Sequence, residues 1–394
     1  MKIANLSIQG FRSLRNINWS LGDLNVIIGP NGTGKSNLLR CLELIAISAQ
    51  GKLGKTVQSL GGMESIVWDG QARSIKFVLK TKPAHSERAT APDSYELELV
   101  RLGASSSYKI ETERLTNSGK HRSTPDPFKF LERSANKAII FNGNEDTFDT
   151  PADYVSDAES LLSIAAGPFS INPFIPVFQR ELASFAIYHD LDTRPEATIR
   201  QSAIARFEKR VDPDGHNLVS VLHTLYTGDR DFKNDINTAM QAAFGDDFEE
   251  LVFPPAADQR IQLRIRWKSL KREQSAAELS DGTLRFLFLL CVLASPSLAP
   301  VIAIDEPETG LHPAMLPLVA EYAVEASRRA QIIFTTHSPQ FLDAFIGVKP
   351  TTTVAQWGNG ETTLHTLDAV QLDYWLKEYS LGSLFSSGEL EQME

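Results

Sequence analysis

The chain has 394 residues, 42% apolar and 22% charged, the balance of an ordinary globular protein with room for one large core or two moderate ones. Its 39 basic and 49 acidic residues leave a formal charge of −10, which excludes a generally basic nucleic-acid coat and confines any such contact to a local patch or a partner. No apolar run reaches the roughly 18 residues a membrane span needs, the amino terminus lacks a signal's apolar core, and the two cysteines, Cys41 and Cys291, sit in apolar runs; a cytoplasmic protein with no membrane segment, disulfide framework or cysteine metal site is expected.

The opening "KIANLSIQGFRSL" alternates apolar and polar residues, which predicts a half-buried strand turning at Gly10 into an exposed Phe11, Arg12 and Ser13. From Asn25, "NVIIGPNGTGKSNLLRCLELI" reads as a short buried strand, a loop that cannot continue it, and a helix. Gly29, Gly34, Lys35 and Ser36 have the spacing of a phosphate-binding P-loop. Gly32 and Gly34 let backbone N–H groups close on phosphate oxygens, the helix turns its positive end to the anion, and Lys35 adds a point charge on the β- and γ-phosphates. The Ser36 hydroxyl is placed to ligate Mg²⁺. The expected nucleotide-binding stretch is thus Gly29, Pro30, Asn31, Gly32, Thr33, Gly34, Lys35, Ser36 and Asn37.

"SIKFVLKTK" from Ser74, "SYELELVRL" from Ser94 and "SSSYKIETERL" alternate again and predict an antiparallel β patch, with polar loops at 83–93 and 117–127. From Pro151 to Phe244 the period becomes helical, as in "AESLLSIAAGPF", "TIRQSAIARFEKRV" and "HNLVSVLHTLY", without a heptad run long enough for a coiled-coil arm. "IQLRIRWKSLKR" restores a strand at Ile261. Its Arg264, Arg266, Lys268, Lys271 and Arg272 read first as a solvated sheet face and second as a DNA or partner contact, with Trp267 available for packing.

"ELSDGTLRFLFLL" opens a helix at Ser280, Asp281 and Gly282, whose free N–H groups would make a second anion site. "PVIAIDEPETGLHP" ends an apolar strand, expected beside the P-loop strand, on Asp305 and Glu306. The first carboxylate suits the magnesium shell and the second can polarise a water toward the γ-phosphate. "IIFTTHSPQFL" ends the next strand on His337. Two short strands are expected near Thr351 and Thr363.

Together these motifs resemble the ABC-type ATPase heads of the SMC, RecF and overcoming-lysogenization-defect (OLD) group, especially the short AAA-family ATPases associated with bacterial antiphage defence. Leu279-Ser280-Asp281-Gly282-Thr283 stands where that group carries its LSGGQ signature, and His312 where many members carry the D-loop Asp. The resemblance implies an α/β P-loop NTPase fold, an ATPase head at 1–112 and 255–394 with a β patch, and a mainly helical inserted lobe at 113–254. It implies ATP and Mg²⁺ as cofactors, Arg12 and Ser13 near the nucleotide, and Gln58 in "TVQSLGG" as the magnesium-ligating Q-loop glutamine. Lys35, Glu306 and His337 would be the catalytic groups.

The resemblance also implies a head-to-tail homodimer or higher homo-oligomer, each ATP lying between Gly29–Ser36 of one copy and Ser280–Gly282 of the other. The tail after His337 contains no Asp-x-Asp and is expected to be too short for the TOPRIM nuclease that larger OLD-type proteins carry. The expected role is therefore a regulatory or sensing ATPase working with a separately encoded effector, such as a nuclease, in phage defence. The alternative is a RecF-like, ATP-gated DNA clamp in repair or recombination; a transporter ATPase fits the long insertion least.

Overall fold

A computed structural model of the chain describes residues 1–82, 91–103, 106–119, 127–134, 137–142, 147–150, 156–167, 170, 172–345, 347–368, 372 and 379–391. It divides into two compact units: Met1–Gly22, Ile28–Phe185 and Thr353–Thr366, and then Asp23–Ile27, Ala186–Thr352 and Leu367–Glu394. Most of the expected loops at 83–93 and 117–127 lie outside the described residues.

In the first unit, β1 (Ile3–Phe11) and β2 (Leu14–Ser20) pair as a hairpin; β3 (Leu24–Ile28), which apart from Ile28 belongs to the second unit, precedes the loop and α1 (Lys35–Ala49). Two short helices follow, α2 (Leu53–Ser59) and α3 (Met63–Ile66). Then come β4 (Ser74–Thr81), β5 (Ser94–Arg101), β6 (Tyr108–Asn117), β7 (Phe128–Ser134), β8 (Lys137–Asn142) and β9 (Thr147–Asp149). Helices α4 (Leu161–Ala165) and α5 (Phe174–Ala183) close this stretch. Apart from β3, these strands form one antiparallel sheet in the order β2-β1-β4-β5-β6-β7-β8-β9. Its register sets Ile75 against Leu99, Phe77 against Leu97 and Leu79 against Tyr95, so the alternation seen in the sequence buries one face.

Two expectations change here. The segment 113–254 does not begin as a helical lobe: β6 runs on to Asn117, and β7 to β9 extend the sheet, because "FKFLERS" and "KAIIFN" also alternate at a period of two. Phe11 is buried, 1% exposed, with its ring 5.8 Å from that of Phe77, and the turn after it begins at Arg12, which takes φ 48°.

The second unit starts with β10 (Ala186–Tyr188) and β11 (Ala203–Ile204), then α6 (Leu218–Gly228) and α7 (Arg230–Phe244). Strands β12 (Phe248–Val252), β13 (Pro255–Ala256), β14 (Arg260–Ile261), β15 (Arg264–Trp267) and β16 (Gln274–Ser275) make two small sheets, β11-β14-β13 and β12-β15-β16. Next are α8 (Asp281–Leu293), β17 (Val301–Asp305), α9 (Leu316–Ser327), β18 (Gln331–Thr336) and α10 (Pro339–Asp343). Strands β19 (Thr351–Gly358) and β20 (Glu361–Thr366) form a hairpin of the first unit, and α11 (Leu381–Ser386) belongs to the second.

"TIRQSAIARFEKRV" does not form the expected helix. It holds one short turn, Thr198–Arg200, and then β11, because no continuous apolar face exists: Ile199 is buried while Ile204 and Phe207 are 47% and 81% exposed. The expected adjacency of the Asp305 strand to the strand before the loop also fails. The order is β10-β17-β18-β3, and β18, buried at all six positions, lies between them. Cys41 and Cys291 are buried within α1 and α8, and the longest described helices have 15 residues. Among the described residues no helix is long and apolar enough to cross a membrane.

Candidate functional site

The loop from Gly29 to Gly34 belongs to the first unit and is shaped by contacts that only a side-chain-free backbone permits. Gly34, the N-cap of α1, takes φ 94°, and a Cβ there would collide with the hydroxyls of Thr362 and Ser13. No side chain caps α1 and its first turn contains no acid, so its leading N–H groups suit an anion. A Cβ at Gly32 would meet nothing within 4 Å, leaving that side of the loop open to a ligand. The Lys35 ammonium, 4% exposed, donates to the carbonyls of Gly29 at 2.7 Å and Pro30 at 2.9 Å, which holds its charge inside the loop. Ser36, the next residue, starts the helix with its hydroxyl beside that charge in sequence.

Ser13 is drawn into the same network: its hydroxyl accepts from Asn37 Nδ2 at 2.8 Å and lies 2.8 Å from the Thr362 hydroxyl. Thr362 Oγ1 is also 2.8 Å from the Thr33 carbonyl, and its N–H donates to the Ser13 carbonyl at 2.9 Å. Thr362, on β20, is a residue the sequence reading missed. Nothing local to "GETTL" marks it as a brace for the loop.

Arg12 and Gln58 are placed elsewhere in the unit. Arg12 lines a hollow with Arg40, Glu43, Leu44, Ile47 and Thr56, on the side of α1 beyond its first turn. Burial and the neighbouring Arg40 charge both lower its affinity for its proton. Gln58 is exposed on α2 and no described contact joins its side chain to the loop.

In the second unit, the ends of β17 and β18 bring Asp305, Glu306, Glu308 and His337 together. Asp305 pairs in register with Thr335, whose hydroxyl donates to one carboxylate oxygen; the other faces His189 Nδ1 at 3.6 Å. Glu306 adopts φ 45°, a left-handed conformation that costs a non-glycine residue about 1 kcal/mol or more. Its N–H offsets that by donating to the Thr335 carbonyl at 3.1 Å and hydroxyl at 3.2 Å. The turn aims its carboxylate at His337, with 3.0 Å between Oε1 and Nδ1.

Glu308 was not singled out by the sequence reading, yet it is the most enclosed carboxylate of the group. Its side chain is 9% exposed, and Oε1 accepts from the Thr336 hydroxyl at 2.5 Å and the His337 N–H at 3.3 Å. Oε2 is buried without a hydrogen-bond partner, and burial raises its affinity for a proton, opposed by the Thr336 bond. His312, at the D-loop position, accepts from Ala314 N–H at 3.2 Å and so caps the turn Pro313–Met315.

Ser280 caps α8 by accepting from the Thr283 N–H at 3.1 Å. Ser280 and Asp281 are exposed, and the Asp281 carboxylate turns to Arg200. Gly282 is pressed on the loop after Glu306, where a Cβ would come 2.6 Å from the Gly310 carbonyl oxygen. The basic strand is largely neutralised: Arg266 pairs with Glu250 and Glu273, Arg264 with Glu273, and Arg272 with Glu278, while Trp267 donates to Gln274. Lys268 and Lys271 are exposed.

Among the described residues no group of three or more His, Cys, Asp or Glu side chains forms a metal cage.

This geometry defines an α/β P-loop ATPase with an antiparallel sheet, similar in fold to SMC heads and in sequence to an OLD-type protein. Residues 24–343 match the AAA_21 family, described as "AAA domain, putative AbiEii toxin, Type IV TA system", and the chain belongs to that family. It is similar to an "OLD nuclease" of Thermus scotoductus, 22% identical over 349 residues, covering 86% of this chain but 59% of the longer relative. It is also similar to an "ATP/GTP phosphatase" of Helicobacter pylori, 20% identical over 350 residues and covering 86% of each. Among solved structures, an Smc head bound to the C-winged helix domain of ScpA superposes with a TM-score of 0.54 at 13% identity, covering 95% of this chain and 100% of the other. An Smc head with an extended coiled coil, bound to the ScpA C-terminal domain derived from Pyrococcus furiosus, gives 0.55 at 13% identity, over 96% and 99%. These likenesses are of fold.

Proposed function

We propose that this ATPase is a nucleotide-operated switch: two copies pair head to tail around ATP, and hydrolysis loosens them to act on a separately encoded effector in phage defence. Gly29–Ser36 hold the phosphates, Lys35 neutralises charge on the β- and γ-phosphates, and Ser36 and Asp305 hold magnesium. Bound there, magnesium would screen the phosphate oxygens as negative charge shifts toward the leaving group. Glu306 orients and deprotonates the attacking water, and His337 reports on the γ-phosphate while keeping the Glu306 carboxylate aimed. Ser280–Gly282 of the second copy complete the pocket, so loss of the γ-phosphate removes the contact between copies.

The observation that carries the pairing is the exposed Ser280–Asp281 start of a 13-residue helix, the positive end of its dipole presented to solvent with the Asp281 carboxylate drawn to Arg200. Similarity to an OLD nuclease and membership of a family described with toxin–antitoxin systems support the defence role over the DNA-clamp alternative. So does the pairing of three of the basic strand's arginines with glutamates, which leaves little free positive charge for DNA. The test is turnover per chain against protein concentration, for the native protein and Ser280→Arg. A rise with concentration that Ser280→Arg abolishes supports the sandwich; turnover independent of both removes it.

A further inference from the structure

Arg200 belongs to no motif read from the sequence, yet its side chain is only 6% exposed and its guanidinium is devoted to one short stretch of chain. Nη1 donates to the carbonyls of Ala276 at 3.1 Å, Ala277 at 3.4 Å and Leu279 at 2.7 Å. Nε donates to the Thr193 carbonyl at 2.7 Å, and Nη2 pairs with Asp281 Oδ1 at 2.5 Å. The three carbonyls lie in and just after the turn Ala276–Glu278, immediately before Ser280, where the backbone has left one helical turn and not yet entered α8. Buried carbonyls there need donors, and a planar five-donor fork supplies several from one side chain.

Asp281 sets a second requirement. Its side chain is 64% exposed in the first turn of α8, one residue past the cap. A carboxylate there favours the helix itself but opposes any second anion approaching the same N–H groups. The Arg200 charge offsets it and holds it to one side. On the far side of the turn, Gly282 rests on the Gly310 backbone, so the stretch is fixed from two directions.

We propose that Arg200 is a positioning residue of the second anion site: it holds the 276–281 stretch in its phosphate-accepting form and neutralises Asp281, so that the γ-phosphate of ATP bound to another copy can approach. This rests on the sandwich reading above. Arg200→Gln keeps N–H donors for the carbonyls and removes the charge. It is expected to raise the ATP concentration for half-maximal pairing about 10- to 100-fold, while binding of a fluorescent ATP analogue to dilute, unpaired protein stays within about threefold. Adding Asp281→Asn to Arg200→Gln should recover about tenfold, because the unpaired carboxylate is then gone. Arg200→Lys, which keeps the charge but gives up the planar fork, should fall between the native protein and Arg200→Gln and provides the comparison should the Gln variant melt early.

Native-like pairing by Arg200→Gln, a double variant no better than the single one, or an equal loss in Arg200→Lys each overturns the assignment. The two readings separate cleanly. Native turnover that ignores protein concentration removes the sandwich and this inference together, whereas ATP-dependent pairing shared equally by the native and Arg200→Gln proteins removes only the role of Arg200.

Discussion

The loop at Gly29–Gly34 and the strand ends at Asp305 and Thr336 are built on opposite plans. The loop is almost all backbone: glycines that a Cβ would spoil, a helix start left uncapped, and a lysine folded onto two carbonyls of its own loop. The strand ends are almost all side chain, with Asp305, Glu306, Glu308 and His337 held by two threonines, Thr335 and Thr336. Backbone cradles are set by local geometry and tolerate little change of residue type. Side-chain relays depend on packing between strands and can be weakened one contact at a time.

The largest expected effect lies in the loop. Lys35→Ala removes its single buried cation and should lower ATP turnover by about a thousandfold or more, with ATP-dependent pairing lost, as measured by steady-state hydrolysis and light scattering. Residual turnover near the native level would mean that the backbone alone suffices. Glu306→Gln comes next: it keeps the 3.0 Å approach to His337 but loses the proposed base, so turnover should fall about 100- to 1000-fold while an ATP-bound dimer accumulates on size exclusion. A monomer at saturating ATP would break the link between carboxylate and pairing.

Thr362→Val probes whether the loop is as self-contained as it looks. Losing the hydroxyl's approaches to Ser13 and the Thr33 carbonyl should weaken nucleotide binding about 3- to 10-fold by calorimetry, the scale of one hydrogen bond. The smallest effect concerns Glu308. Burial raises its proton affinity in the folded state, so its contribution is intact below about pH 4 and is lost as pH rises through the folded value. Glu308→Gln retains an acceptor for Thr336 and the His337 N–H. Its melting temperature should match the native protein near pH 4 and exceed it by about 1–3 °C at pH 8, the gap widening with pH. A gap that narrows instead would mean that the carboxylate is stabilised as an anion.

The two plans also explain what could be read in advance. Gly29, Gly34, Lys35 and Ser36 were legible because a phosphate loop is a contiguous stretch whose spacing is its geometry. Asp305, Glu306 and His337 were legible as strand ends. Their neighbour Glu308 was not, since an acid two residues past Glu306 looks like any loop residue until Thr336 is seen donating to it. The strand order shared this fate: local alternation predicts a strand at 301–305 and another at 331–336, but not that the second lies between the first and β3.

By itself, then, the sequence determined the class of chemistry, because phosphate binding, the carboxylate pair and the helix start at Ser280 are each written in a few adjacent residues. Only the tertiary structure decided who supports them: Thr362 reaches Ser13 from 349 positions away and Arg200 reaches Asp281 from 81. Contacts at that separation leave no periodic trace. They arise when strands and turns that form for their own local reasons are packed together, and the polar groups so enclosed must find partners.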